Sequence, residues 1–293
     1  MIISDGRRLA YYSVKANSGF WSQHWLKSIG KVEWEKAERG FLGWFEESSV
    51  KYLPKKGKII EAGCGLGYYV LALERRGYDV EGVEWSKEAV GLIKKRFPEL
   101  KVRTGDVRNL AVKDGYYSGY ISLGVVEHFK SGPEDYLREA NRILKRGGVA
   151  FVSVPYFNLL RRIKNLFGFY RGSPVGLDFY QYAFTQIEIE DFIQKSGFKV
   201  VSRFHYDAYK SIKEELPFLR NLLVLLKTHC SPSFRTRSGI YIDSRLPARN
   251  AYSIAVAGGH GNDKESNSNR RPWWLKLVDR YFGHMTMVVC IKR

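Results

Sequence analysis

The chain has 293 residues, of which 48 are basic and 30 acidic, so its formal net charge is +18. Apolar residues make up 44% and aromatic residues 15%, a globular composition that excludes a disordered chain. No apolar run is long enough to span a membrane, and residues 1–8 lack the order of a signal peptide. Three widely spaced cysteines are too few for a disulfide scaffold, so we expect a reducing, cytoplasmic environment.

The positive charge is concentrated in the second half of the chain. Residues 1–150 contain 26 basic and 19 acidic residues, whereas residues 151–293 contain 22 and 11. Two interpretations remain open at this point. The excess predicts either an ordinary solvated surface or a face that meets an acidic acceptor, an anionic membrane or nucleic acid.

Short apolar runs alternate with amphipathic stretches from residue 58 onward. Ser86 is a predicted N-cap, and Thr185 with Glu188 forms a predicted capping box. This alternation predicts an α/β fold with a doubly wound, Rossmann-like sheet. The predicted strands are 58–61, 79–84, 101–104, 119–123, 148–154, 198–205 and 285–291, and the predicted helices are 69–76, 87–96, 133–144, 158–167 and 186–195.

The remaining segments are predicted to be additions to this sheet. The first 50 residues contain Trp21, Trp25, Trp34 and Trp44 and are predicted to be helical. Almost 80 residues separate the last two strands, which is far longer than an ordinary connection. The predicted organisation is a helical cap or lid at 1–57 and a main domain at 58–293, with substrate-side insertions at 155–184 and 207–284. The second insertion contains an apolar helix from Pro217, a polar segment at 258–271 and a helix at 273–282.

A glycine-rich turn, Glu61-Ala-Gly63-Cys-Gly65-Leu-Gly67, joins the first predicted strand of the sheet to the first helix. The backbone amides at the start of such a helix have no partner within the helix and are available to a ligand. Glycines permit the tight turn and let a cofactor approach the main chain. A turn of this kind without any ligand is the alternative.

Two further acids follow the next two strands. Glu84 lies seventeen residues after Gly67, where a carboxylate can accept both ribose hydroxyls of an adenosine. Asp106 follows the third strand, where it can accept the adenine amino group. Because the carboxyl ends of parallel strands share one rim, we expect Glu61, Glu84 and Asp106 to lie together. A nicotinamide-binding fingerprint would require the third glycine at Tyr68, so the spacing disfavours that cofactor.

With these residues, the segment from about Trp21 to Ile291 resembles the class I S-adenosylmethionine-dependent methyltransferases, most specifically over residues 58–154. The small-molecule, ubiquinone-biosynthesis-like enzymes are the most similar subgroup. The resemblance implies a seven-stranded sheet with an antiparallel last strand preceded by a helical insertion, and S-adenosylmethionine as cofactor. The cofactor-binding residues that it implies are Glu61, Gly63, Gly65, Gly67, Glu84, Trp85, Asp106, Val107, Leu123 and Gly124.

Candidate catalytic residues follow the fourth strand of the predicted sheet. His128 has a side chain suited to proton transfer near neutral pH, and Glu127 precedes it. The alternative is that this pair caps or orients the following loop. Some related oxygen methyltransferases carry an additional acid at the position of Gly124, so no metal is expected here. Candidate substrate residues, for which packing is the alternative, are Tyr156, Tyr180, Tyr182 and His205.

The expected reaction is O-methylation of a small-molecule, sugar or lipid-linked glycan acceptor. The helix at 158–167 combines an apolar stripe with basic residues, so it is expected either to pack on the core or to rest on an anionic membrane. An RNA methyltransferase is the first alternative, because of the charge of +18, although no added RNA-binding module is recognisable. A non-catalytic protein that binds S-adenosylmethionine is the second. We expect a cytoplasmic protein, with membrane association as an option.

Overall fold

The computed structural model describes residues 1–216 and 273–293. The predicted helix from Pro217 and the polar segment at 258–271 therefore lie outside the described residues. Secondary structure begins with two short strands, continues with three short helices and then enters the alternating part of the chain.

A seven-stranded mixed sheet forms the centre of the molecule. Strand β10 runs antiparallel to both of its neighbours, and the other adjacent pairs run parallel. The predicted doubly wound sheet with an antiparallel last strand is thereby confirmed. In their order across the sheet, its strands are β5 (Val102–Thr104), β4 (Val80–Glu84), β3 (Ile59–Ala62), β6 (Tyr117–Leu123), β7 (Leu144–Pro155), β10 (Met285–Lys292) and β9 (Phe198–Tyr206).

Helices cover both faces of this sheet. Successive side chains of a strand point to opposite faces of the sheet, and both faces of β3 are apolar: Ile59 packs into the core on one face and Ile60 into the core on the other. Both apolar faces must therefore be covered. The described helices are α1 (Ser18–Ser28), α2 (Trp34–Glu38), α3 (Glu46–Tyr52), α4 (Tyr68–Arg75), α5 (Lys87–Arg96), α6 (Glu134–Ile143), α7 (Leu159–Leu166), α8 (Gln186–Lys195), α9 (Ala208–Glu215) and α10 (Trp273–Phe282).

The predicted helix starts are confirmed at the level of single hydrogen bonds. The Ser86 hydroxyl accepts from the backbone N–H of Ala89 at 3.0 Å, and the Thr185 hydroxyl accepts from Glu188 at 3.3 Å. Each bond satisfies one of the amides that a helix start leaves without a partner.

The prediction of a wholly helical N-terminus is wrong for residues 2–13. Strands β1 (Ile2–Ser4) and β2 (Arg8–Ser13) pair antiparallel, and β2 pairs in turn with β8 (Asp178–Phe184), which was not predicted. Leu9 is fully buried against residues of this second sheet and of the segment after β7. The pairing joins segments about 170 residues apart. The local pattern therefore carries little information about it.

Membrane-spanning helices were sought in the described part of the chain. Within residues 1–216 and 273–293, no helix has both the length and the apolar character needed to cross a bilayer.

Candidate cofactor and acceptor site

A cavity of about 200 Å³ lies at the carboxyl ends of strands β3, β4, β5 and β6. Each of these strands is followed directly by a residue or turn that lines it, which is the rim where doubly wound sheets bind ligands. The lining residues that the sequence predicted are Gly63, Glu84, Trp85, Asp106, Val107, Leu123, Gly124, Glu127 and His128.

The glycine-rich turn between β3 and α4 is closely packed. Gly63 and Gly65 have φ values of +81° and +55°, which side chains rarely adopt. A Cβ atom added to Gly63 would lie 2.5 Å from Val125, and one added to Gly65 would lie 2.7 Å from the Trp25 ring. Gly67 is the N-cap residue of α4. Glycine is therefore required both for the backbone conformation and for the close approach of neighbouring groups.

Glu84 connects the second strand to this turn. One carboxylate oxygen accepts from the N–H of Gly65 at 2.9 Å, and the other accepts from the N–H of Ser86 at 3.0 Å. Burial raises its pKa, while these backbone hydrogen bonds act in the opposite direction. Each oxygen has a further lone pair, so the same carboxylate can hold the turn and accept ligand hydroxyls.

Glu61 is buried under the glycine turn. It lines a second cavity of about 110 Å³ that shares Gly63, Trp25 and Leu123 with the first. Its Oε2 atom has no hydrogen-bond partner in the described part of the protein. Burial, with a smaller contribution from the charge of Glu84, raises its pKa to about 8. An unsatisfied buried carboxyl is costly unless a cation reaches it, so this position fits the ammonium group of an amino-acid ligand.

Asp106 lines the main cavity and pairs with Arg108. The Arg108 guanidinium donates to both oxygens of the carboxylate, which lowers the pKa of Asp106. The same guanidinium lies 4.5 Å from the centre of the Phe129 ring. Sequence reasoning did not single out Arg108, although it follows Asp106 by only two residues.

Glu127 and His128 form a short 3₁₀ turn after β6 and line the cavity. The Nδ1 atom of His128 lies 2.9 Å from the carbonyl oxygen of Tyr180. Because that oxygen can only accept, Nδ1 carries the proton and Nε2 carries the lone pair. Burial lowers the pKa of His128 to about 4, so the ring is neutral at pH 7.

Glu127 lies beside this ring, and its carboxyl group keeps its proton to a higher pH than an ordinary glutamate does. Its Oε1 atom is 3.9 Å from Nε2 of His128, and its Oε2 atom has no partner among the described residues. Burial raises the pKa of Glu127 to about 8. The cavity therefore contains a neutral imidazole base next to a carboxyl group that is largely protonated at pH 7.

The four predicted substrate residues separate into two groups. Tyr180 is buried near the site, with its ring centre 5.1 Å from that of His128. Tyr182 donates to the carbonyl oxygen of Lys130, and Tyr156 stacks on His205 with ring centres 4.3 Å apart. Tyr156, Tyr182 and His205 are not part of the cavity wall formed by the described residues. Of the four predicted substrate residues, Tyr180 is therefore the one whose ring contacts His128.

Helix α1 supplies a wall of the cavity that sequence reasoning identified only in outline. Trp21, His24 and Trp25 line the cavity, and the Trp21 ring meets His128 edge-on with centres 4.9 Å apart. The i, i+4 spacing of the two tryptophans was the available signal. Other aromatic lining residues that were not predicted are Trp44, Tyr69, Phe129, Tyr136 and Tyr206.

Metal-ligand clusters were also sought. In the ranges 1–216 and 273–293, no group of three or more His, Cys, Asp or Glu side chains has an arrangement that could hold a metal ion. Burial accounts for the lowered pKa of His128 and for the raised pKa values of Glu61 and Glu127.

Residues 60–152, which include all ten predicted cofactor residues and the Glu127–His128 pair, match the family model of a methyltransferase domain. A Mycolicibacterium smegmatis protein named a probable S-adenosylmethionine-dependent methyltransferase is 25% identical over 163 residues, 54% of this chain and 60% of that protein. A Mycobacterium tuberculosis protein with the same description is 26% identical over 117 residues, 38% and 42% of the two chains. The chain thus spans less than two thirds of the length of these relatives.

The fold has solved counterparts. The structure of an S-adenosylmethionine-dependent methyltransferase from Archaeoglobus fulgidus superposes with a TM-score of 0.52 at 12% identity, over 91% of this chain and 98% of that one. The strand order of the central sheet and the cavity at its carboxyl ends are those of the Rossmann-like methyltransferase fold. Residues 60–152 are thus similar to a methyltransferase domain, and the names of the relatives imply S-adenosylmethionine as the cofactor of such a domain.

Proposed function

We propose that this protein is an S-adenosylmethionine-dependent methyltransferase that acts on a hydroxyl group of a small-molecule, sugar or lipid-linked glycan acceptor. The observation that carries the proposal is the buried, neutral His128 at the cavity wall, with its Nδ1 proton donated to the Tyr180 carbonyl. A histidine held in this tautomer offers Nε2 as a base. The ubiquinone-biosynthesis-like subgroup and the nature of the acceptor belong to the same proposal.

The cofactor residues divide among the parts of the cofactor. Glu61 binds the ammonium group, since its Oε2 atom is buried without a partner. Glu84 accepts the ribose hydroxyls, and Asp106 accepts from the adenine amino group. Trp85 and Val107 flank the adenine ring, and Leu123 and Gly124 line the methionine portion. When bound, the cofactor supplies an electrophilic methyl group on a positively charged sulfur.

The protein's own residues handle the proton of the acceptor hydroxyl. Nε2 of His128 would take the proton of the acceptor hydroxyl, so that the acceptor oxygen could receive the methyl group that the bound cofactor would supply. The resulting imidazolium would lie 3.9 Å from Oε1 of Glu127, and the partial negative charge of this oxygen would stabilise it. The Trp21 and Trp25 side chains line the same cavity, where their apolar rings would limit the access of water.

Replacing His128 tests the catalytic part of the proposal. In His128→Ala we expect turnover to fall about a hundredfold or more, with the dissociation constant of S-adenosylmethionine nearly unchanged. His205→Ala is the matched control, because desolvation also lowers the pKa of the half-buried His205 to about 4, and His205 lies outside the described cavity wall. Equal turnover in the two variants would reduce His128 to a structural residue.

A second candidate is an RNA methyltransferase, which the net charge of +18 favours. Incubating the protein with methyl-labelled cofactor and separated lipid, RNA and soluble extracts distinguishes the acceptors. Label in the lipid or soluble fraction supports O-methylation of a small or lipid-linked acceptor, whereas label in RNA supports the second candidate. A protein that binds the cofactor and labels no fraction fits the non-catalytic alternative.

A further inference from the structure

The residues predicted to bind the cofactor are divided between two adjoining cavities. Glu84 and Asp106 line the cavity of about 200 Å³, whereas Glu61 and Gly65 line the cavity of about 110 Å³. Pockets that enclose a ligand of drug size usually hold about 300 Å³ or more. Neither cavity has that volume, so a single molecule that contacts both Glu61 and Glu84 has to extend across the boundary between them.

The boundary between the two cavities includes a side chain from helix α1. Four residues line both cavities, namely Trp25, Gly63, Tyr69 and Leu123. Gly63 follows strand β3, Leu123 ends strand β6, and Tyr69 lies buried in helix α4. Trp25 is therefore the boundary residue that comes from the N-terminal segment rather than from the central sheet and its first helix.

The Trp25 ring lies directly on the glycine-rich turn. Two carbons of the ring would be 2.7 Å from a Cβ atom at Gly65, so the ring covers the side of this glycine on which a side chain would stand. Glycine leaves the main chain open to a close ligand, and here the indole occupies that space. A ligand that reaches the main chain at Gly65 has to displace the ring.

Helix α1 is held in place without a buried apolar side chain. Its two buried residues are Ser22 and Ser28, whereas the apolar side chains between Ser18 and Ser28 are half-buried or exposed. Exposed residues also flank the helix, at 13–15 before it and at 30–31 after it. Elements that bury little apolar surface open locally at a small cost in free energy.

We propose that α1 is a gate for S-adenosylmethionine, with Trp25 as its barrier. The helix moves away from the rim to admit the cofactor and then closes over the bound molecule. Hydrogen bonds of the Ser22 hydroxyl with Ser86 and Glu88 hold the closed position. These bonds are the attachment that has to break each time the gate opens.

The same movement affects the wall beside the proposed base. Trp21, four residues before Trp25 on α1, contacts the His128 ring with ring centres 4.9 Å apart. Closure of the helix therefore covers the glycine-rich turn and completes the surroundings of His128 together. The gate rests on the proposed function, because it takes S-adenosylmethionine as the ligand of Glu61 and Glu84.

A disulfide between α1 and the rim tests the gate. The Ser22 and Ser86 hydroxyl oxygens are 3.0 Å apart, so Ser22→Cys with Ser86→Cys brings two thiols within reach of each other. Uptake and release of radiolabelled S-adenosylmethionine by the full-length variant are followed on desalting columns. Because a locked gate blocks entry and exit alike, we expect both rates to be at least about a hundredfold lower in the oxidised form than in the reduced form. The wild type, treated with the same oxidant, controls for its own three cysteines.

Removal of the barrier should have the opposite effect on uptake. In Trp25→Ala we expect association of S-adenosylmethionine to be at least about tenfold faster than in the wild type, measured by stopped-flow fluorescence of the remaining tryptophans. Trp274→Ala is the matched control, because Trp274 is exposed on α10 and lines neither of the two described cavities. If Trp25 were only a wall of the bound site, its replacement would speed release and leave association unchanged.

The outcomes separate the gate from the cofactor assignment. Slow exchange in the oxidised double variant, recovery on reduction and faster uptake by Trp25→Ala support the gate. Equal exchange in the two redox states, or uptake by Trp25→Ala at the wild-type rate, overturns it while the cofactor assignment stands. Absence of binding by the wild type would overturn both. Methyl transfer does not enter any of these measurements.

Discussion

At the scale of single residues, the site depends on acids that the fold keeps from water. Glu61 and Glu127 each have one carboxyl oxygen without a partner in the described part of the chain, and each has a pKa raised to about 8 by burial. A fold tolerates such groups where a ligand later satisfies them, which is why perturbed acids gather at functional sites. We propose that a cationic ligand group satisfies Glu61, and that Glu127 stabilises the charge that would develop on His128.

The raised pKa of Glu127 predicts a pH-dependent stability. A carboxyl whose pKa rises from 4.5 in the unfolded chain to about 8 in the fold binds its proton more tightly when folded. Its contribution is complete below pH 4.5 and is lost as the pH rises through 8. In Glu127→Gln, which cannot ionise, the free energy of unfolding should therefore rise relative to that of the wild type between pH 5 and pH 8.

Denaturant unfolding at several pH values measures this difference. Glu99→Gln is the control, because Glu99 is exposed and its replacement leaves the buried site intact. A constant difference between Glu127→Gln and the wild type across this range would contradict the assignment of a protonated Glu127.

At the scale of elements, α1 is attached to the cofactor rim by specific hydrogen bonds. The Ser22 hydroxyl contacts the Ser86 hydroxyl at 3.0 Å and donates to the carboxylate of Glu88. Ser86 in turn donates its backbone N–H to Glu84. Helix α1, which carries Trp21 and Trp25, is thus linked through Ser86 to Glu84, the acid predicted to bind the ribose. Its function as a lid stays a prediction.

Removing this link should weaken cofactor binding. A buried hydrogen bond contributes about 1 kcal/mol, so we expect Ser22→Ala to bind S-adenosylmethionine about fivefold more weakly in calorimetry. Ser18→Ala provides the comparison, since Ser18 is exposed on the same helix. Equal affinities for the two variants would show that the closed position of α1 does not depend on the link.

At the scale of the whole molecule, cofactor and fold should stabilise each other. The glycine turn, Glu84 and α1 come from three separate parts of the chain and meet at one cavity. A ligand that binds only the folded state adds about 2.7 kcal/mol when its concentration is a hundred times its Kd. We therefore expect S-adenosylmethionine at that level to raise Tm by about 5 °C or more.

Glu84→Ala separates specific binding from general effects of the ligand. We expect this variant to bind the cofactor at least ~tenfold more weakly and to lose most of the shift at the same concentration. The readout is the change in Tm on adding cofactor, so a lower starting Tm in the variant does not affect it. An unchanged shift would remove Glu84 from the cofactor site.

The resemblance to a known family implied the antiparallel last strand of the sheet. The sequence by itself determined the parallel strands, the caps at Ser86 and Thr185 and the acids Glu61, Glu84 and Asp106 at the ends of strands. These last features follow from local periodicity and from the positions of residues after strands, both of which can be read along the chain. The charge of +18 was equally evident, but not its position in space.

Only the tertiary structure decided which distant residues meet. It paired β2 with β8, brought Trp21 to His128 and left Tyr156 and His205 outside the described cavity wall. Such contacts depend on the packing of whole elements, whose free energy is shared among many weak interactions rather than encoded in a local pattern.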